Sequence, residues 1–246
     1  MQQSAPADLP GREATDTMRG SNIEPRIPYR DLRQWMEEAD RLGELRTVKG
    51  ASWQEDIGLA AEAVLHADDG PAVLFEDVPG CPKGFRLLMN VFAGRRRNMT
   101  LGFPDDLTKQ ELSVAYHDAY LAEESIIPHE TVADGPVFEN SQTGDEVDLM
   151  QFPTPMWHPK DGGRYIGTGC YSVTRDPDEG WFNIGTYRAM LHGLKSVGCL
   201  MVQGKHGYVH REKYWDRGEK CPIVMVLGGE PLSFFFGGFE VPYGVC

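Results

Sequence analysis

The sequence predicts an α+β protein that consists of an N-terminal mixed α/β domain and a β-rich second domain. Helical and strand patterns alternate in the order α-β-α-β-β between residues 31 and 92, which is the order of a mixed α/β unit. From residue 130 onward, short apolar segments are separated by glycine- and proline-rich turns, which favours an antiparallel barrel over a doubly wound sheet. Hydrophobic residues make up 41% of the 246-residue chain, enough to fill both cores.

The N-terminal domain is predicted to begin with a helix from Asp31 to Leu42. Its apolar residues recur on one face, its first residue can cap it and Gly43 can end it. A short strand follows over 45–48. Ser52 and Glu55 then form a capping-box pattern ahead of a second helix.

Apolar strands are predicted over 72–75 and 85–92, and a further helix over 107–121 with Asp106 as its cap. The basic run Arg95–Arg97 falls between them. A run of three arginines indicates a solvated face or a salt-bridge cluster more than an anion site.

Composition divides the chain into three parts. Residues 1–24 are rich in small and polar residues and lack the apolar stretch of a signal peptide, which predicts a disordered leader. Proline becomes frequent after residue 125, so we predict one domain over 25–125 and a second over 126–246. The second domain is predicted to contain short strands and turns over 132–152, strands over 165–174, 181–188 and 195–203, a loop over 204–207, a helix over 208–216 and a buried strand over 223–227.

Charge and cysteine content exclude several classes of protein. The net charge is −13, which argues against nucleic acid and anionic membranes as partners. No apolar run approaches the roughly 18 residues of a membrane span. The five cysteines are odd in number and lack a CxxC spacing, which predicts reduced thiols in a cytoplasmic protein. Neither a Rossmann fingerprint, a P-loop nor a nucleophile elbow is present.

The residues with the most chemistry lie between 183 and 207. Asn183 and Arg188 are five positions apart, and an odd spacing on a strand places two side chains on opposite faces. Asn183 with His206 suits a hard cation such as Mg²⁺ or Mn²⁺, provided that a carboxylate joins them. Arg188 can grip a carboxylate at two points, and a structural salt bridge is the alternative for it.

Three other features leave alternatives open. Gly228–Pro231 and Gly237–Phe239 can present backbone groups to a phosphate or a monovalent cation, or can simply form turns. Phe234–Phe236 indicates core or a protein–protein surface more than a cofactor platform. The histidines His192, His206 and His210 could together form a zinc site, although no HExxH or cysteine pattern supports it.

Eight segments together carry a resemblance. They are Asp31–Leu45, Gly70–Phe75, Gly94–Arg97, Asp148–Pro153, Gly163–Ile166, Asn183–Arg188, Gly204–Gly207 and Pro222–Pro231. Their order resembles that of the UbiD family, the decarboxylases that use prenylated FMN, from about residue 30 to residue 246.

The resemblance implies a flavin-reductase-like split β-barrel after the N-terminal domain, then a C-terminal α/β domain. It implies Asn183 and His206 as ligands of a Mn²⁺ or Mg²⁺ ion that bridges to the cofactor phosphate. It implies that backbone groups of Gly237, Gly238 and Phe239 help to hold K⁺ and phosphate. The other cofactor contacts that it implies are Thr186, Tyr187, Arg188, Met201, Val202, Gln203, Lys205, His206 and Gly207.

The activity that the resemblance implies is reversible, non-oxidative decarboxylation of an aromatic or α,β-unsaturated acid, with release of CO₂. Arg188 would be a catalytic residue that orients the carboxylate. A flavin prenyltransferase would supply the cofactor, and the full-length protein would be a homo-oligomer. Trp157 and Tyr187 hint at an aromatic substrate by composition alone, and which acid is used is not readable from the sequence.

One departure from the family sets a further expectation. In the family, the third metal ligand is a glutamate shortly after the segment that matches Gly244–Val245, and the catalytic glutamates follow it, whereas this sequence ends at Cys246. We therefore expect the sequence to be an N-terminal portion that is inactive by itself. The alternatives are a non-catalytic flavin- or metal-binding fragment, one subunit of a split enzyme, or an FMN split-barrel oxidoreductase.

Overall fold

A computed structural model of the chain describes residues 23–67, 69–120 and 130–239. Nearly all of the predicted leader, the predicted boundary near residue 125 and the Gly244–Val245 pair lie outside the described residues. Within the described ranges, no helix is long and apolar enough to cross a bilayer.

The helices are α1 Leu32–Arg41, α2 Asp56–Leu65, α3 Gly94–Thr100, α4 Lys109–Tyr120, α5 His206–Asp216 and α6 Pro231–Gly237. The strands are β1 Leu45–Lys49, β2 Ala72–Glu76, β3 Leu87–Met89, β4 Tyr165–Gly167, β5 Tyr171–Arg175, β6 Phe182–Gly185, β7 Ala189–Leu191, β8 Val197–Cys199 and β9 Ile223–Val226.

The N-terminal region is the mixed α/β unit that the sequence predicts. β1 and β2 pair in parallel, and β3 joins β2 in the antiparallel direction. Successive residues of β2 point to opposite faces of the sheet, and both faces are covered. Phe75 packs with Ile57 of α2 on one face, and Ala72 packs with Trp35 of α1 on the other. This two-sided burial explains why β2 is an unbroken apolar run.

The strand predicted over 85–92 is confirmed only in its centre, over Leu87–Met89. Asn90 ends it, because its φ of 59° lies in the left-handed region that breaks an extended ladder. The Asn90 amide then donates to the carbonyl oxygen of Gly70 at 2.9 Å, which fixes the turn against the start of β2.

The helix caps agree with the sequence in one case and correct it in two. Asp31 caps α1 by accepting from the N–H of Gln34 at 2.9 Å. At α2 the reciprocal partner of Ser52 is Asp56, because the Asp56 carboxylate accepts from the Ser52 N–H at 2.8 Å, so Glu55 is the wrong partner. Thr108, rather than Asp106, caps α4, since it exchanges hydrogen bonds with Glu111.

The arginine run lies on α3 and forms the salt-bridge cluster that the sequence favours. Arg95 is an exposed residue paired with Asp105. Arg96 is fully buried and donates to the Glu44 carboxylate at 2.7 Å. Its guanidinium also donates to the backbone carbonyl oxygens of Gly70 at 2.8 Å and Asn90 at 3.0 Å. Arg96 therefore ties α3 to both β1 and β2.

The second region contains two three-stranded antiparallel sheets, in the orders β4-β7-β8 and β6-β5-β9. The predicted strand 165–174 is two strands, one in each sheet, and the predicted strand 181–188 ends at Gly185. The hairpin of β5 and β6 is confirmed, with Val173 opposite Ile184. The chain passes from one sheet to the other at residues 168–170 and again at 186–188, and a strand pattern alone does not locate these crossings.

Other predictions in this region are corrected. The residues between 132 and 152 form short 3₁₀ turns rather than strands. The strand predicted over 195–203 is present only over Val197–Cys199, as β8. The strand β9 is not buried, since Val224 is 60% exposed. Helix α5 begins at His206, so this histidine lies in the first helical turn instead of a loop.

The three phenylalanines at 234–236 lie on α6 and serve the core, as predicted. Glu230 caps this helix by accepting from the N–H groups of Leu232 and Ser233. Phe234 stacks on Phe92 with 5.7 Å between ring centroids. The neighbouring rings continue the cluster toward α4, and they are Phe235, Phe236, Tyr116 and Tyr120. This aromatic layer joins the second region to the N-terminal one.

Candidate functional site

Three segments that are distant in sequence converge on residues 183–188. The carbonyl oxygen of Arg188 accepts from the N–H of Leu200 at 2.9 Å, which holds the following loop beside it. The phenol oxygen of Tyr187 accepts from the N–H of Gly207 at 2.9 Å. The N–H of Thr186 donates to the carbonyl oxygen of Gly237 at 3.0 Å. These three contacts place the segments that carry the candidate cofactor contacts beside residues 186–188. The candidates on these segments are Thr186, Tyr187, Arg188, Met201, Val202, Gln203, Lys205, His206, Gly207, Gly237, Gly238 and Phe239.

Exposure alternates along this strand, as the odd spacing of its two key residues predicts. Asn183, Gly185 and Tyr187 are buried, whereas Thr186 and Arg188 are exposed. Asn183 and Arg188 therefore lie on opposite faces, even though regular strand geometry ends at Gly185.

The Asn183 carboxamide is held by its nitrogen. Its Nδ2 atom donates to Thr174 Oγ1 at 3.3 Å and to the Tyr187 hydroxyl at 3.2 Å. Its carbonyl oxygen accepts no hydrogen bond from the described part of the chain. Hard cations prefer oxygen ligands such as an amide carbonyl that is not already hydrogen-bonded. The Asn183 side chain therefore fits the metal that it is expected to bind.

The start of α5, where His206 lies, is close to Asn183 because both segments donate to the Tyr187 phenol. Asn183 donates to that oxygen directly, and the residue that follows His206 donates to it through its backbone. The His206 ring also meets the edge of Trp181, with centroids 5.4 Å apart. Lys205 is the exposed N-cap of α5, so an ammonium group stands at a helix N-terminus, where the helix dipole favours anions.

Tyr187 is a buried spacer between two glycines. A Cβ atom at Gly185 would lie 2.6 Å from its ring, and one at Gly207 would lie 2.5 Å from its hydroxyl oxygen. Tyr187 is 7% exposed, so its ring supports the site from behind rather than lining it. Gly185 and Gly207 are needed because no side chain fits beside this ring.

Replacement of Gly207 by alanine is expected to push the Tyr187 ring out of place and to destabilise the fold by about 1–3 kcal/mol, since the new Cβ overpacks a filled space. Denaturant unfolding measures the change. Gly169→Ala is the matched control, because a Cβ there meets nothing within 4 Å. Equal stability of the two variants would contradict this account of Gly207.

Arg188 lines a cleft of about 1090 Å³ between the N-terminal and second regions. Its guanidinium carbon lies 5.8 Å from the centre of the Tyr165 ring, within the range of a cation–π contact. No described carboxylate forms an ion pair with Arg188, so the salt-bridge alternative for this residue is not met within the described ranges. The wall around it is mainly apolar and aromatic, and includes Phe85, Phe152, Ile166 and Phe234.

The zinc interpretation fails in the part of the chain that the structure describes. No group of three or more His, Cys, Asp or Glu side chains there has the geometry to hold a metal. His192 packs over Gly198, while His210 is turned toward Thr174 and Asp176.

Sequence reasoning missed a buried polar network behind Asn183. Thr174, Asp176 and His210 are each at most 1% exposed, and Lys213 reaches the Asp176 carboxylate at 2.6 Å. Burial lowers the pKa of the His210 imidazole below its ordinary value, against the opposing charge of Asp176. The only signal in the sequence is the i, i+3 spacing of His210 and Lys213, which many helices share.

At one end of the cleft, a hydrogen-bonded chain links helix α2 to the 157–161 loop. Glu62 accepts from His158 at 2.9 Å and from His66 at 3.1 Å, and Asp161 lies 3.7 Å from His158. The hydrogen bond to Glu62 is the main cause that raises the pKa of His158 and, in return, lowers the pKa of Glu62.

The His158–Glu62 pair is expected to make stability depend on pH. A raised His158 pKa stabilises the fold below the ordinary histidine pKa, and this contribution is lost as pH rises through the folded pKa. The difference in melting temperature between the wild type and His158→Gln should therefore be largest at about pH 5–6.5 and shrink above it. A difference that grows toward pH 9 would contradict the assignment.

Comparison with known proteins identifies the class of protein. Residues 36–114 match the family described as the 3-octaprenyl-4-hydroxybenzoate carboxy-lyase N-terminal domain, UbiD_N. Residues 130–246 match the family described as the 3-octaprenyl-4-hydroxybenzoate carboxy-lyase Rift-related domain, UbiD. The chain therefore belongs to the UbiD family of carboxy-lyases.

The pyrrole-2-carboxylic acid decarboxylase of Pseudomonas aeruginosa is 30% identical over 87% of this chain and 45% of its own length. The vanillic acid decarboxylase of Sedimentibacter hydroxybenzoicus, in its closed form, has a TM-score of 0.80 at 25% identity, over 87% of this chain and 46% of that chain. A UbiD-class enzyme from Pelotomaculum thermopropionicum, solved with FMN, has the same fold, with a TM-score of 0.67 at 24% identity over 82% and 43%. The chain spans about half the length of the relatives that it matches.

Proposed function

We propose that this chain supplies the cofactor site of an enzyme that reversibly decarboxylates an aromatic or α,β-unsaturated carboxylic acid with prenylated FMN. The observation that carries the proposal is the convergence of residues 183–188, 200–207 and 237–239 beside the cleft that Arg188 lines. The two antiparallel sheets on which these segments lie would be the described parts of a split β-barrel.

The proposed binding of the cofactor follows from the side chains and backbone groups on these segments. Asn183 and His206 would bind Mn²⁺ or Mg²⁺ next to the phosphate, with Lys205 and the N-terminus of α5 facing the anion. Gly237 and Gly238 would offer backbone groups to phosphate and K⁺. The Gly237 carbonyl already accepts from Thr186, which leaves it only its second lone pair for a cation.

Each chain residue then has a stated task. When bound, prenylated FMN supplies the electron sink that allows CO₂ to leave. Arg188 binds the substrate carboxylate at two points and orients it, since it is exposed to the cleft without a described carboxylate partner. The apolar wall excludes water from the ring of the acid, which strengthens the interaction of Arg188 with the carboxylate.

The substrate, the supplier of the cofactor and the assembly state extend this proposal. The relatives named above act on pyrrole-2-carboxylic and vanillic acids, so small aromatic acids are the proposed substrate class. A flavin prenyltransferase would supply the cofactor, and a homo-oligomer in the cytoplasm is the proposed working form.

A second candidate is a non-catalytic flavin- or metal-binding fragment, or one subunit of a split enzyme. It is favoured by the finding that the chain covers 45% of the length of the pyrrole-2-carboxylic acid decarboxylase and 46% of the vanillic acid decarboxylase. We therefore propose that the 246-residue chain does not turn over by itself.

The test uses protein expressed from its natural gene together with a flavin prenyltransferase and purified without oxygen. Intact mass, the mass of the bound flavin and CO₂ release from pyrrole-2-carboxylate and vanillate are measured, with the 246-residue chain assayed in parallel. Bound prenylated FMN with CO₂ release supports the decarboxylase. Oxidation of a reduced nicotinamide with unmodified FMN would favour an oxidoreductase, and turnover by the 246-residue chain would refute its proposed inactivity.

A further inference from the structure

A chain of side-chain contacts runs from the Asn183 amide into the interior of the second region. Asn183 Nδ2 lies 3.3 Å from Thr174 Oγ1, and Thr174 Oγ1 lies 3.0 Å from His210 Nδ1. His210 Nε2 lies 3.6 Å from the Asp176 carboxylate, whose same oxygen accepts from Lys213 at 2.6 Å. These five residues are contributed by β5, β6, α5 and the turn after β5, so the contacts fix three elements against one another.

The Asp176 carboxylate sets the direction of each hydrogen bond. A carboxylate only accepts, so its oxygen 3.6 Å from His210 Nε2 favours the neutral ring with its proton on Nε2. His210 Nδ1 is then the acceptor of the Thr174 hydroxyl proton, and the Thr174 oxygen accepts from the Asn183 amide. The network therefore demands one tautomer of His210 and one orientation of the Asn183 amide.

Reversal of the amide would break this pattern. Thr174 Oγ1 would then meet the Asn183 carbonyl oxygen, and its single proton could not serve both that oxygen and His210 Nδ1. Thr174 and His210 are 1% and 0% exposed, so water does not replace the missing hydrogen bond. The Asn183 carbonyl oxygen is thus held away from Thr174.

The far end of the network is firmly anchored. The second oxygen of Asp176 accepts from the N–H groups of Asp178 at 2.8 Å and Glu179 at 3.0 Å. The His210 ring also packs edge-on against Trp181, with 4.5 Å between centroids. An imidazole held from two sides gives Thr174 a fixed acceptor.

We propose that Thr174 and His210 are positioning residues that hold the Asn183 carboxamide with its carbonyl oxygen directed at the bound cation. This inference rests on the proposed metal site and assigns two residues to it that touch neither cation nor substrate. Groups that orient a metal ligand in this way usually change metal affinity by about 10–100-fold when they are removed.

The test measures binding of Mn²⁺ alone, by the electron paramagnetic resonance signal of the free ion, in protein expressed from its natural gene and stripped of flavin. Thr174→Val removes the hydroxyl and keeps the shape of the side chain, and is expected to weaken Mn²⁺ binding by about 10–100-fold. Thr174→Ser keeps the hydroxyl and is expected to bind within about threefold of the wild type. His210→Leu should behave like Thr174→Val, while His210→Asn, which keeps an acceptor, should retain most of the affinity.

A second readout does not depend on metal. Nitrogen NMR of the wild type is expected to show His210 protonated on Nε2 and not on Nδ1, and circular dichroism verifies that each variant is folded. Wild-type Mn²⁺ binding that is unchanged in folded Thr174→Val would overturn the positioning role and leave the proposed function intact. Protonation of His210 on Nδ1 would also overturn it. Absence of Mn²⁺ binding in the wild type would refute the metal site itself.

Discussion

Replacement of Arg188 by lysine is expected to lower kcat/KM for decarboxylation by about 10²–10³-fold in protein loaded with prenylated FMN. A lysine keeps the positive charge but not the planar fork that grips a carboxylate at two points. The cation–π contact with Tyr165 would also change, because it depends on the flat guanidinium. Initial rates of CO₂ release across substrate concentrations measure the effect.

Arg41→Met is the matched control for Arg188→Lys. Arg41 is an exposed arginine that forms an ion pair with Glu38, three residues earlier on the same helix. Its loss removes charge without touching the cleft, so kcat/KM should stay within about twofold of the wild type. Equal losses in the two variants would show that the effect is not specific to the guanidinium in the cleft, and would contradict the role of Arg188 in binding the carboxylate.

Replacement of Arg96 by methionine is expected to reduce the free energy of unfolding by about 3–5 kcal/mol. Arg96 is fully buried, and its loss removes the side-chain donor of the Glu44 carboxylate and a donor from the Asn90 carbonyl, while the Gly70 carbonyl keeps the Asn90 amide. The unpaired Glu44 charge accounts for most of the cost, because it stays in a poorly hydrated position. Urea unfolding, followed by tryptophan fluorescence, measures the change.

Arg95→Met tests whether the loss of stability in Arg96→Met comes from the burial of Arg96 or from its position on α3. Arg95 is the preceding residue, is exposed and pairs with Asp105 at the surface. Exposed ion pairs contribute about 0–1 kcal/mol, so this variant should unfold close to the wild type. A loss at Arg95 as large as that at Arg96 would refute the burial argument.

Several features of the fold follow from local sequence. The helical periodicity after Asp31, the apolar run of β2 and the hairpin of β5 and β6 are all present in the structure. These are short-range properties, since capping and side-chain period depend on neighbours along the chain. The same period placed Asn183 and Arg188 on opposite faces.

The cap of α2 shows where reasoning from local sequence fails. Ser52 has carboxylates available at both Glu55 and Asp56, and the sequence pattern favours the first. The backbone at the start of the helix selects the second, and only coordinates reveal that choice.

The family motifs pointed to the candidate site, but the arrangement of side chains within it required the structure. The order of segments identified Asn183, Arg188 and His206 as candidates. It gave no sign that Tyr187 is buried between two glycines, or that Thr174 and His210 lie behind Asn183. The pairing of β5 with β9 also brings together residues about fifty positions apart.

By itself, then, the sequence determined the order of elements, the faces of its strands and the family. The tertiary structure decided which strands share a sheet, that Arg96 is buried while Arg95 is exposed, and which way the Asn183 amide points. The physical reason is that periodicity is a property of neighbouring residues. Burial and hydrogen-bond direction depend instead on partners brought from far along the chain.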